Sequence, residues 1–137
     1  MAHTQVINAV SGRLAALWSL CPVQIEPAGP QPPPRDGSLF LAVEFHSSYS
    51  RQATIGSPGA NIYRDEGAIR FVLHVPNSTG YRAGSEQCQI LAGLFRGQQF
   101  DGVETFAPSP ASVDRSRTGG NYLALAFVVP FKFDFTA

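Results

Sequence analysis

The stretch Ala68-Ile69-Arg70-Phe71-Val72-Leu73-His74-Val75, then Pro76-Asn77-Ser78-Thr79-Gly80, then Arg82 to Arg96, decides how this chain folds. In the first eight residues Ile69, Phe71, Leu73 and Val75 face one way. Arg70, Val72 and His74 face the other, which is the period of a strand. Pro76 stops the strand, and Asn-Ser-Thr-Gly is turn chemistry. From Arg82 the period becomes helical: Cys88, Leu91 and Phe95 form one stripe, widened by Ile90 and Leu94, and Gly97 supplies the stop.

Upstream, Tyr63-Arg64-Asp65-Glu66-Gly67 reads as a charged turn opening that strand. Leu39 to His46 alternates, with Leu41, Val43 and Phe45 on one face. Arg51–Ile55 and Asn61–Tyr63 read as two further short strands joined by Gly56-Ser57-Pro58-Gly59. At the start, Ile7, Val10, Leu14 and Leu17 fall on one stripe of a helix over Thr4–Leu20, with Thr4 or Asn8 as candidate caps and Pro22 as its end. Val23–Glu26 is a short strand. Residues 27–37 hold Pro27, Pro30, Pro32, Pro33 and Pro34; without backbone donors they predict an extended loop.

Downstream, Val103–Phe106 predicts a short strand and residues 107–120 a polar, mobile loop carrying Arg115 and Arg117. The closing segment is apolar on both faces: Leu123, Leu125, Phe127 and Val129 against Tyr122, Ala124, Ala126 and Val128. A strand of that kind is covered on both sides, by helices or by another subunit. Pro130 cannot donate to a ladder and marks an edge or a bulge. Phe131, Phe133 and Phe135 continue one face beyond it. They are to be buried either in the domain's own core or against a neighbouring subunit.

The length of 137 residues suits one domain. Ten basic and ten acidic residues give no net charge, unlike the basic excess of a general nucleic-acid binder. Cys21 and Cys88 read as two buried thiols. His3, His46 and His74 have no metal-ligand spacing, and His46 and His74 read as surface residues. No nucleophile turn or phosphate loop occurs. The expectation is a protein that is not an enzyme and holds no cofactor or metal. The opening residues lack the basic and apolar runs of a secretory signal, and no segment approaches the ~20 apolar residues of a membrane span. Arg51, Arg64 and Arg70, with Glu44, Asp65 and Glu66 close by, suit ion pairs between subunits.

The order of Tyr63-Arg64-Asp65-Glu66-Gly67, Val75-Pro76-Asn77-Ser78-Thr79-Gly80, Leu94-Phe95-Arg96-Gly97 with Phe100, and Val129-Pro130-Phe131-Lys132-Phe133-Asp134 resembles the tail-terminator, or tail-completion, proteins of long-tailed bacteriophages. The resemblance covers nearly the whole chain. It implies an α+β fold, two helices packed on a mixed, mainly antiparallel β-sheet. It also implies a structural virion protein, made in the host cytoplasm. Copies would form a homo-oligomeric ring, typically a hexamer, on the head-proximal end of the tail tube. Its partners would be the tail tube protein and the head–tail connector, with DNA passing through the hole without specific binding. Another connector or minor tail protein of similar fold, or a small ligand-binding domain or enzyme, are the alternatives. The candidate interface residues are Arg51, Ile55, Tyr63, Arg64, Phe131, Phe133 and Phe135.

Overall fold

The computed structural model describes residues 3–25, 38–116 and 118–137, with the side chains of residues 46–48 outside that description. The proline-rich loop of residues 27–37 and Arg117 also lie outside it. In chain order the elements are α1 (Thr4–Leu17), β1 (Val23–Ile25), β2 (Phe40–Gln52), β3 (Ile62–Pro76), α2 (Gly80–Phe95), β4 (Gln99–Phe100), β5 (Val103–Thr105), β6 (Ser112–Val113) and β7 (Tyr122–Thr136). The strands form one sheet in the order β1-β2-β3-β7-β5-β4, with β6 also paired to β7. Among the described residues only β1 and β2 run parallel; the other pairs are antiparallel. The fold is α+β, as expected.

The alternation in β2, β3 and β7 decides the layers. Leu41, Val43, Ile69, Phe71, Leu73, Val75, Leu125, Phe127, Val129, Phe131 and Phe133 join Val6, Val10 and Leu14 of α1 and Cys88, Leu91 and Phe95 of α2 in one core. Both helices therefore cover one face of the sheet. Part of the opposite face is lined by small buried residues, Ala42, Val72, Ala124 and Ala126, so β7 is buried on both sides only over Ala124–Phe127.

Several sequence expectations change. The segments around Arg51 and Tyr63 are the ends of two long strands, β2 and β3, not separate short ones. Residues 64–67 continue β3, because each pairs with a residue of β7, from Arg64↔Asp134 to Gly67↔Phe131. In α1 the buried stripe is Val6, Ala9, Val10 and Leu14, while Leu17 is exposed. His3 is the cap, its Nδ1 accepting from the Gln5 N–H. Ile90 of α2 is exposed. Gly97, at φ 59, follows α2 in the left-handed conformation that ends helices. Arg13 donates to the Leu94 carbonyl at 2.7 Å and lies over the Phe100 ring, satisfying a carbonyl that the end of α2 leaves open.

Pro130 is accommodated where β7 changes partner. Below it β7 pairs with β5, through Phe131 and Phe133; above it β7 pairs with β6, through Leu125 and Ala126. The Phe106 N–H donates to the Pro130 carbonyl and the Ser109 N–H to that of Val128. The donor that proline lacks falls in the gap between β5 and β6, so no ladder bond is lost.

Residues 107–116 and 118–120 are held to the sheet. Asp114 accepts from Arg70 and from the Ser116 N–H and hydroxyl, and its backbone N–H donates to the Ala124 carbonyl. Arg70 also reaches Glu44 at 3.3 Å. His74 is buried, stacked on Phe40 at 4.3 Å, and burial pushes its pKa down.

Candidate interaction surface

The lower half of the sheet carries the candidate residues, and a bulge orients them. Between His46↔Ala68 and Tyr49↔Glu66 the register of β2 and β3 shifts by one residue. A bulge of this kind reverses which residues face each side. Tyr49 and Arg51 thereby join Glu66 and Arg64 on the face away from the helices.

Two rows cross that face. Tyr49, Glu66, Lys132 and Glu104 are successive cross-strand neighbours, as are Arg51, Arg64 and Asp134. The Tyr49 hydroxyl donates to Glu66, which also meets Arg51 at 3.5 Å. Lys132 reaches Glu104 at 3.0 Å. Arg64 grips Asp134 with two bonds, 2.7 and 2.9 Å. These contacts set the local acidities. The hydrogen bond from Tyr49 lowers the Glu66 pKa and raises that of the tyrosine. The bonds from Arg64 hold Asp134 below the usual carboxylate range. The arginines thus form ion pairs within one chain, where the sequence suggested pairs between subunits. Such exposed pairs add little stability; their consequence is a surface whose charges are largely neutralised in place.

The seven candidates separate into two groups. Phe131 and Phe133 are 2% and 3% exposed. They belong to the monomer core, since odd-numbered residues of β7 face the helices, and they offer nothing to a neighbour. Phe135 is half-buried, with ring centroids 5.9 Å from Tyr63, 5.1 Å from His3 and 6.1 Å from Phe133. Tyr63 thus closes the lower end of the core.

Arg51, Arg64 and Ile55 lie on the β2–β3 hairpin, whose tip, residues 53–61, carries no charge. The Ala53 and Thr54 N–H groups both donate to the Ile62 carbonyl, and Asn61 exchanges two backbone bonds with Ala137. The base of the tip is therefore fixed. Ile55 at its end is 88% exposed, and Tyr49 and Ile62 on the stem are exposed as well.

The opposite margin was not legible as a surface. β4 and β5 form a tight hairpin through Asp101 and Gly102, at φ 46 and 83, the left-handed pair of a two-residue turn. An open recess of about 400 Å³ is lined by Phe100, Asp101, Gly102, Glu104, Lys132 and Asp134 among others. Gly102 is required there: a Cβ would lie 3.3 Å from the Phe133 ring on top of the strained φ. A second open trough, of about 340 Å³ and lined by Tyr49, Phe106 and Pro130 among others, shares Lys132 with it.

Among the described residues no group of histidine, cysteine, aspartate and glutamate is placed to hold a metal ion, and no helix is long and apolar enough to cross a membrane. The two cysteines are free; Cys88 is buried, and burial pushes its thiol up to about 11.

No protein-family model matches the chain, and no curated protein does. A solved structure is similar to it with a TM-score of 0.62 at 18% identity, over 98% of this chain and 97% of that one. At such identity the likeness concerns the fold alone, and it extends over nearly the whole of both chains.

Proposed function

We propose that this chain is a tail-terminator-type assembly protein. Copies close into a ring on the head-proximal end of a phage tail tube. The ring ends tube growth and presents a surface to the head–tail connector. The observation that carries the reading is the β2–β3 hairpin. It is an arm with a fixed base and an uncharged tip, and it holds Ile55 almost wholly in water with Tyr49 and Ile62 on its stem. Exposed apolar side chains on one hairpin suit a surface used in association. The α+β fold is the one the resemblance implies. The internal pairing of Arg51, Arg64 and Lys132 with Glu66, Asp134 and Glu104 also suits a ring through which DNA slides. Cations already neutralised by carboxylates do not grip phosphates.

Native mass spectrometry and negative-stain imaging of the purified protein, alone and mixed with tail tubes, test this. Closed rings, or caps at the head-proximal tube end, are expected. Caps at the other end would make it a different minor tail protein. A monomer that leaves tubes bare and growing would overturn the proposal.

A further inference from the structure

The two margins of the lower sheet bear charged residues of opposite sign, most of them paired within the chain. The arm, Ser50–Arg64, holds Arg51 and Arg64 and no carboxylate; the β4–β5 hairpin, Gln99–Thr105, holds Asp101 and Glu104 and no base. They lie on opposite sides, because β2 and β4 are separated in the sheet by β3, β7 and β5. Four strand spacings put them about 19 Å apart, so the two margins of one chain cannot meet. Each is also an edge. Among the described residues β1 covers β2 only at Leu41–Val43, which leaves the outer side of Tyr49–Gln52 without a strand, and β4 has a partner only in β5.

The charges differ in how fully they are used. Arg64 and Glu104 are taken by Asp134 and Lys132. Arg51 is half exposed and shares Glu66 at 3.5 Å with the Tyr49 hydroxyl. Asp101 is exposed at its turn and makes no ion pair among the described residues. Beside Asp101 lies the recess of about 400 Å³, lined mainly by polar residues, Gln99, Glu104, Lys132 and Asp134 among them.

From this we infer that copies of the chain join head to tail through these margins. The arm of one copy lies along the β4–β5 hairpin of the next, and Arg51 meets the neighbour's Asp101. Different patches on the two sides make the contact heterologous, the kind that repeats around a ring until it closes. Opposite charges also select this pairing over arm against arm, which would bring Arg51 against Arg51. The inference rests on the ring reading and adds which two surfaces make the ring.

A charge exchange tests it, read by native mass spectrometry and by capping of tail tubes. Arg51→Glu and Asp101→Lys are each expected to weaken ring or cap formation about tenfold or more, and the double variant to recover most of the loss. Asp101 sits at φ 46, where a long side chain is strained. Asp101→Asn, which tolerates that backbone, is therefore measured alongside and is expected to weaken assembly without lowering the melting temperature. Silent single reversals in a protein that still closes rings would overturn this contact and leave the ring reading standing. A double variant no better than the worse single one would also overturn the contact. A wild-type chain that neither forms rings nor caps tubes would remove both.

Discussion

Truncating Phe131 to alanine separates a core ring from an interface ring. Phe131 is 2% exposed and packs on the helix face with Val129 and Phe133, under α1 and α2. Removing a buried phenyl ring loses its transfer free energy and leaves a cavity, about 3–5 kcal/mol in well-packed sites. A domain of this size is stable by about 5–15 kcal/mol in all. At roughly 3–5 °C per kcal/mol for a chain of this length, the melting temperature should fall by about 10–20 °C. Trp18 is the only tryptophan and is itself part of the core, so its fluorescence during urea unfolding reports the midpoint. An unchanged slope with a lower midpoint identifies lost stability. Replacing both Phe131 and Phe133 by aspartate should leave no folded monomer, since two unpaired carboxylates would enter an apolar core. A loss below about 1 kcal/mol for Phe131→Ala, with defects only in assembly, would refute the reasoning and return these rings to a subunit interface.

Gly84→Ala should destabilise despite the better helix propensity. The new Cβ would stand 2.7 Å from the Leu125 Cδ1 and 3.2 Å from a Val75 methyl, so an overpacking cost of about 1–3 kcal/mol exceeds a propensity gain of about 1; thermal melting checks the sign. Asp114 has its pKa lowered, first by the Ser116 hydroxyl and also by Arg70. Its contribution is therefore complete above the unfolded carboxylate value of about 4 and is lost as pH falls through the lower folded value. Urea midpoints of Asp114→Asn between pH 6 and 3 should accordingly fall less steeply with acid than those of the wild type. With Cys88 raised to about 11, about one thiol in a thousand is ionised at pH 8, so alkylation of Cys88 in the native protein should be far slower than in urea, as peptide mass mapping would show.

The layers of the fold were legible because the large strands alternate cleanly. Ile69, Phe71, Leu73 and Val75 alternate with Arg70, Val72 and His74, and the structure turns the first set to the helices, while Val72 and His74 are buried on the opposite face. The stretch Tyr63–Gly67 misled for a physical reason. Charges and a glycine look like a turn when each is weighed alone, yet Arg64 and Glu66 have cross-strand partners, and Arg64 finds Asp134 seventy residues away. Pairing at that distance leaves no local trace. His74 misled in the same way: its polar side chain suits water, but it is buried against the Phe40 ring.

The interaction surface was half legible, and the missing half follows from two small features. One is the register shift between His46 and Tyr49. Simple alternation from Leu41 would put Arg51 on the core side of β2; the extra residue turns it to the outer face beside Glu66. The other is the hairpin at Asp101-Gly102. Asp-Gly is among the strongest short-range hairpin signals, but Gln99-Phe100 and Val103-Glu104-Thr105 are too short to show a period beside it. Together these features give one lower margin an outward-facing arginine and the other an outward-facing aspartate. The sequence shows equal numbers of acids and bases and so a neutral chain. The sheet order turns that neutrality into a direction across the molecule, which a head-to-tail assembly requires and a merely neutral surface does not supply.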